Sequence, residues 1–274
     1  MSDKAMLEKF MYFWELLDTR DFETVYQVRV PACYEVIRVI GGKALFLDEH
    51  YARLVGSAAS IGETLPLTIE ELDAHITALM QANSQANYNV KFIMNGFDEE
   101  AGPYLYLFMN PTSYPTEEMY RDGVATDLLQ IVRENPHAKI INQSLRDQAD
   151  ALMAEKGLFE ALLVNDRGEI TEGSKSNVFF IRDGICCTCP SDGVLLGVTR
   201  QRILRIAKEG GIEVREEPIP ADALGTYDAA FISGTSPKVL PIARIGEIPM
   251  NTQDPVLRKL MALYDEEIRR YLAQ

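Results

Sequence analysis

Apolar positions along this chain fall into two rhythms. Short uninterrupted apolar runs, Asn177 to Ile181 and Ala229 to Ile232, predict buried strands. Helical spacing predicts helices elsewhere. Ile203, Leu204, Ile206 and Ala207 follow Gly197, Val198 and Thr199, and the pattern is stopped by Gly210 and Gly211, so a helix opens there with Thr199 as its expected N-cap. Thr68 and Glu71 form a T-x-x-E capping box at another helix start. Leu257, Leu260, Leu263 and Tyr264 lie among many charges and predict an amphipathic surface helix. At the opposite end Leu7, Phe10, Met11, Trp14 and Leu17 also recur at helical spacing, so an amphipathic helix is expected there.

Helices and strands mix throughout, and 274 residues can bury one large core or two modest ones. The expectation is an α+β protein of two mixed α/β domains, a smaller one over residues 1–113 and a larger one over 123–274. The polar stretch TSYPTEEMYRDG supplies the linker, 114–122. A formal net charge of −14 argues against nucleic-acid partners and anionic membrane surfaces, since long-range repulsion opposes both. No apolar run is long enough to span a bilayer, and the chain opens without the basic-then-apolar order of a secretion signal, so the cytoplasm is the expected location. Cys33, Cys186, Cys187 and Cys189 fit neither a disulfide framework nor paired metal knuckles. With His50, His75 and His137 scattered along the chain, no metal site is expected.

Candidate chemistry concentrates in residues 171–200, TEGSKSNVFFIRDGICCTCPSDGVLLGVTR. The helix start at Val198 and Thr199 presents backbone N–H groups that suit a phosphate, although an ordinary capped helix reads the same way. Glu172, just ahead of an apolar strand, can meet a buried cation or a heterocyclic nitrogen, although most glutamates beside a glycine simply face water. If the ligand is an aldehyde cofactor, a lysine must form a Schiff base with it. Lys139 in HAKIIN is the best candidate because its neighbours are apolar. A strand lysine reaching toward solvent is the alternative. Thr235 and Ser236 occupy a strand end and turn before Pro237, where hydroxyls are commonly structural.

Taken in order, YEVIRVIGGKALFLDEHYARLVGSA, AKIIN, TEGSKSNVFF, LLGVTR and FISGTSPKVLPI resemble the class IV aminotransferases. These are the fold-type IV pyridoxal-phosphate enzymes, which include branched-chain aminotransferases, D-amino acid aminotransferases and aminodeoxychorismate lyases. The resemblance runs from about Tyr34 to Ile245. It implies pyridoxal 5'-phosphate in the cleft between two domains. Lys139 would carry the cofactor and later shuttle the proton, and Glu172 would pair with the pyridine nitrogen. Arg53, on a helix from Asp48 to about Gly62, would bind phosphate with its fork of donors. Val198 and Thr199 would offer the helix start, and Thr235 with Ser236 a second hydroxyl-bearing loop.

Departures from the family pattern bear on substrate. Tyr34 matches a tyrosine that helps hold the substrate carboxylate in D-amino acid aminotransferases, but the arginine and histidine that share this task have no match in VKFIMNG, residues 90–96. Met94 and Asn95 bring no positive charge there. Arg38 alternates with Tyr34 and Val36 on one strand face and is a candidate replacement, with Arg133 a weaker one. The family opens with a strand and a glycine-rich turn where this chain shows helical spacing. The implied activity is amino transfer between an amino acid, branched-chain or otherwise apolar, and a 2-keto acid, by a homodimer. Alternatives are a lyase that releases pyruvate and a cofactor-binding protein without transaminase activity.

Overall fold

The computed structural model describes residues 3–97, 102–112, 114–133 and 136–274, and the chain divides into two compact units. The first holds residues 2–113, 138–141 and 271–274. Its strands are β1 (Lys9–Tyr12), β2 (Glu15–Asp18), β3 (Ala32–Ile40), β4 (Lys43–Ala44), β5 (Tyr88–Asn95) and β6 (Tyr104–Met109). They form an antiparallel sheet in the order β2-β1-β6-β5-β3-β4. Helices α1 (Phe22–Val25), α2 (Leu47–Ser60) and α3 (Ile69–Ala82) accompany it.

Both faces of this sheet are covered, and alternation decides which residue goes where. Cys33, Ile37, Val39, Phe92 and Met94 pack with Leu54, Ala58, Leu72, Ile76 and Leu79 of α2 and α3. Ile93, Tyr106 and Phe108 point the other way, into a cluster with Phe10, Phe22, Ile141, Tyr26 and Tyr34. The capping box at Thr68 forms, with both reciprocal bonds present.

The amphipathic helix expected from Leu7 to Leu17 is a β-hairpin instead. β1 and β2 pair with Tyr12 opposite Glu15, and the two turn residues Phe13 and Trp14 have φ of 45° and 68°. A two-residue turn with both φ positive matches the twist of paired strands, so the chain takes this turn without glycine. The spacing misleads because both sheet faces are apolar. Phe10 enters the Tyr106 cluster while its neighbour Met11 enters the Leu54 cluster, an opposition only a strand provides. Trp14 then stacks on His75 with ring centroids 4.0 Å apart.

The second unit holds residues 114–137 and 142–270. Its strands are β7 (Val124–Gln130), β8 (Glu160–Val164), β9 (Ile170–Gly173), β10 (Asn177–Arg182), β11 (Ile185–Thr188), β12 (Val214–Glu216), β13 (Ala229–Gly234), β14 (Lys238–Ile245) and β15 (Ile248–Pro249). The sheet order is β12-β11-β10-β13-β14-β7-β8-β9, with β15 on β14. Helices α4 (Glu117–Asp122), α5 (Gln143–Lys156), α6 (Val198–Glu209) and α7 (Pro255–Leu272) complete it. Val178, Phe180, Ala230, Ile232, Leu240 and Ile242 fill the core beside the central strands.

Two local expectations need correction. The N-cap of α6 is Gly197, and Thr199 lies inside the first turn. A Cβ at Gly197 would fall 2.1 Å from Asn177 Oδ1, so close backbone approach selects glycine there and displaces the cap by two residues. The polar stretch read as linker contains α4, started by the Thr116 hydroxyl accepting from Met119 N.

All four cysteines are free and buried. Burial pushes the Cys33 thiol up to about 12 and those of Cys187 and Cys189 to about 11, with Cys186 raised as well. Since the thiolate is the reactive form, the native protein is expected to ignore a chromogenic disulfide at pH 8, with all four thiols titrating after denaturation. Rapid release of the chromophore from native protein would contradict this placement.

Candidate active site

In the first unit the backbone of Lys139 is tied to two elements. Lys139 N donates to Ser57 Oγ of α2 at 3.0 Å, and Lys139 O accepts from Tyr34 N of β3 at 3.0 Å. Ile141 N donates to Ala32 O at 2.9 Å, and Ile140 bridges Cys33. The ε-amine lies 4.7 Å from the centroid of the Tyr34 ring. A reactive amine needs ordered backbone beneath it, and these contacts provide it.

Behind this segment lies a buried charge network. Glu35 takes the apolar phase of β3, between Cys33 and Ile37, and is fully buried. Arg53 Nε and Nη2 donate to its two oxygens at 2.7 and 2.8 Å, and His50 Nδ1 lies 2.8 Å from Oε2. Burial pushes the Glu35 carboxyl up, but the Arg53 guanidinium and the His50 hydrogen bond outweigh it and hold the group down to about 2. Burial lowers His50 despite Glu35, which keeps its imidazole neutral. Arg53, the expected phosphate ligand, is thereby fixed in orientation by a forked pair. The Ser57 hydroxyl, which holds Lys139 N, itself donates to Arg53 O at 2.9 Å. One helix therefore positions both residues.

In the second unit Glu172 sits on β9, buried, with Arg133 Nε 2.6 Å from Oε1, a contact of charges lacking hydrogen-bond alignment. Leu195 N donates to Glu172 Oε2 at 3.2 Å, and Asn177 Nδ2 lies 3.4 Å from the same oxygen while donating to Leu195 O at 2.9 Å. Glu172 is thus locked beside Leu195 to Gly197, the lead-in to α6. The turn after Glu172 is pinned by Glu160, whose carboxylate accepts from Ser174 Oγ at 2.6 Å and Ser176 Oγ at 2.9 Å. Val198 and Thr199 form the first turn of α6, which has no side-chain cap, so its leading N–H groups remain suited to an anion. Thr235 and Ser236 lie half-buried in the turn between β13 and β14.

The residues expected from sequence therefore fall into two groups, Tyr34, Arg53 and Lys139 in one unit and Glu172, Val198, Thr199, Thr235 and Ser236 in the other. Arg38 shares the Tyr34 face but stands four residues along β3, roughly 13 Å away at strand rise. Arg133 serves Glu172. Sequence reasoning missed Glu35, Ser57, Asn177 and Glu160. Glu35 had a readable signal, a carboxylate in the apolar phase of a strand. The others depend on contacts between distant segments.

Taken unit by unit, the donors suit the parts of pyridoxal phosphate: in the first an amine on rigid backbone complements an aldehyde, and in the second a buried carboxylate beside an uncapped helix start complements a ring nitrogen and a phosphate. The sequence model of the family described as amino-transferase class IV matches residues 32–245. D-alanine aminotransferase of Listeria monocytogenes is 30% identical over 255 residues, covering 86% of each chain. Among solved structures, the branched-chain amino acid aminotransferase of Escherichia coli superposes with a TM-score of 0.84 at 22% identity, over 96% of this chain and 95% of its own. That of Thermobaculum terrenum, in its PLP form, gives 0.81 at 22% identity over 98% and 97%.

Proposed function

Because the chain belongs to the class IV aminotransferases, we propose that it transfers an amino group between an amino acid and a 2-keto acid with pyridoxal 5'-phosphate as its cofactor. The reading rests chiefly on one observation, the locking of Glu172 against the uncapped start of α6. That arrangement supports reading Glu172 as a ring-nitrogen partner and the α6 start as a phosphate site. Val198 and Thr199, with Thr235 and Ser236, would hold the phosphate, and Arg53 keeps the phosphate-binding role that the family resemblance gives it. When bound, the cofactor supplies the electron sink that stabilises a carbanion at the substrate Cα.

The protein's part is binding and proton handling. Lys139 Nζ would be the nitrogen that carries the cofactor, and, when free, the base that takes the proton from the substrate Cα and, as the ammonium so formed, the acid that gives it back to the carbon that becomes protonated next. Glu172 would keep a proton on the ring nitrogen, and Arg133 with Asn177 keeps Glu172 aimed. Tyr34 lies against the Lys139 amine and forms one wall of the substrate site, with Arg38 a more distant candidate for the substrate carboxylate. Branched-chain and other apolar amino acids are the favoured substrates, in keeping with the aromatic cluster on the Tyr34 face. A homodimer in the cytoplasm completes the proposal, and light scattering tests the dimer. Among the described residues no helix is long and apolar enough to cross a membrane.

The test is an assay of keto-acid formation from a panel of L- and D-amino acids, with pyruvate release from aminodeoxychorismate measured in parallel. Keto acid produced stoichiometrically with amino transfer supports the reading. Pyruvate release without amino transfer would favour a lyase, and a cofactor spectrum that ignores every amino acid would favour a binder. Glu172→Gln is expected to lower the half-reaction rate by about 10²-fold or more, because proton control in the transition state is worth that much. An unchanged rate would remove Glu172 from the site.

A further inference from the structure

Lys91 is a lysine in the wrong place for an ordinary surface residue. It belongs to β5 opposite Val36, is 3% exposed, and its ammonium sits 5.0 Å from the Tyr34 ring centroid. The Lys139 ammonium lies 4.7 Å from that same centroid. A buried ammonium requires a counterion. Here it is the carboxylate of Asp3, which joins Lys91 through one oxygen and accepts from the Tyr26 hydroxyl through the other.

We propose that Lys91 and Tyr26, against the Tyr34 ring, form a carboxylate-binding subsite for the amino-acid and keto-acid substrate, and that Asp3 fills it as a built-in stand-in which the substrate displaces. The proposal rests on the reading of Lys139 as the reactive amine. Three features separate this subsite from a plain structural ion pair. A cation and a hydroxyl converge on the two oxygens of one carboxylate, which is two-point recognition of that group. The subsite shares one aromatic ring with the reactive amine, since both ammonium groups lie within 5.0 Å of the Tyr34 centroid. Tyr26 also stacks on Phe22 at 4.5 Å and meets Tyr106 and Phe108 edge-on at 5.0 and 5.7 Å, giving an apolar wall for a hydrocarbon side chain.

Asp3 is suited to leave. It lies outside any strand or helix, and its side chain keeps 14% exposure. The segment stays anchored beyond it, because Ala5 is buried in the same aromatic cluster and Met6 N donates to Met109 O at 2.9 Å. Releasing Asp3 gives up its contacts with Lys91 and Tyr26 while the Met6–Met109 bond keeps the segment on the sheet. A substrate carboxylate restores both contacts. Because the resident carboxylate competes with the incoming one, apparent affinity is reduced by the fraction of molecules in which Asp3 is bound.

Calorimetric titration of the full-length holoprotein with 4-methylpentanoate, an unreactive carboxylate with a branched apolar tail, tests this directly. Asp3→Asn is expected to tighten binding several-fold, and Lys91→Met to weaken it by about tenfold or more, in line with losing a charged hydrogen bond. The uncharged 4-methylpentanamide should bind wild type and both variants alike. Equal carboxylate affinity in all three proteins, or a loss of thermal stability in Lys91→Met with binding unchanged, would overturn the proposal and make the pair structural. Asp3→Asn is nearly isosteric and keeps the test valid if Lys91→Met does not fold. The titration needs no turnover, so a protein inactive toward every amino acid that still shows these shifts would overturn the reaction assignment and keep the subsite.

Discussion

Lys139→Ala is expected to abolish the visible band of lysine-bound cofactor and to lower the rate of the amino-acid half-reaction by about 10²- to 10⁴-fold or more, the usual contribution of a positioned proton-transfer group. Loss of the covalent attachment adds to that figure. The effect should be chemical and not structural, because the bonds that hold this segment come from the backbone of Lys139 and its neighbours, through Ser57 Oγ, Tyr34 N and Ala32 O. The contact of Nζ with the Tyr34 ring goes with the side chain, a matter of about 0.5–1 kcal/mol. Single-turnover absorption with the variant beside wild type gives the rate, and urea unfolding gives the stability. Turnover within tenfold of wild type would show that another amine does the work.

Glu35→Ala carries the largest expected cost in stability, about 3–5 kcal/mol, because it leaves the Arg53 guanidinium buried without the carboxylate that orients it. Cofactor affinity should fall with it, since Arg53 loses its fixed fork. The same network predicts how wild type responds to acid. The folded Glu35 carboxyl is depressed to about 2 from an ordinary 4.5, so its contribution is fully present above about pH 4.5 and is lost as pH falls toward 2. His50 is depressed below 6.5 in the folded state, so the unfolded chain takes up its proton first and stability begins to decline as pH drops below about 6.5. Both shifts act in the same direction. Urea midpoints from pH 7 down to pH 3 should fall more steeply for wild type than for Glu35→Ala, and parallel curves, or a neutral-pH cost under 1 kcal/mol, would count against the network.

Much of the site was legible in the chain because its signals are short-range. The helix from Val198 to Glu209, the strand from Asn177 and the strand from Ala229 each follow from apolar spacing within a dozen residues. Glu172 and Lys139 stood out locally only as candidates beside ordinary structural alternatives, and the order of motifs carried both the family and their expected roles. The cap of α6 was misread because a close approach of Asn177 to Gly197 is invisible along the chain. The opening hairpin was misread because apolar cover on both sheet faces imitates helical spacing.

Local periodicity and turn chemistry thus determined from the sequence alone which segments become most of the strands and helices and which residues are chemically capable. What the tertiary structure decided is pairing. Glu35 meets Arg53 across 18 positions, Arg133 meets Glu172 across 39, and Lys91 meets Asp3 across 88. Opposite charges far apart in the chain have many alternative partners, and only strand register and helix packing bring one pair within hydrogen-bond distance while excluding water from it. The side chains that orient the reactive residues are therefore products of the folded core, even where the reactive residues themselves can be read from the chain.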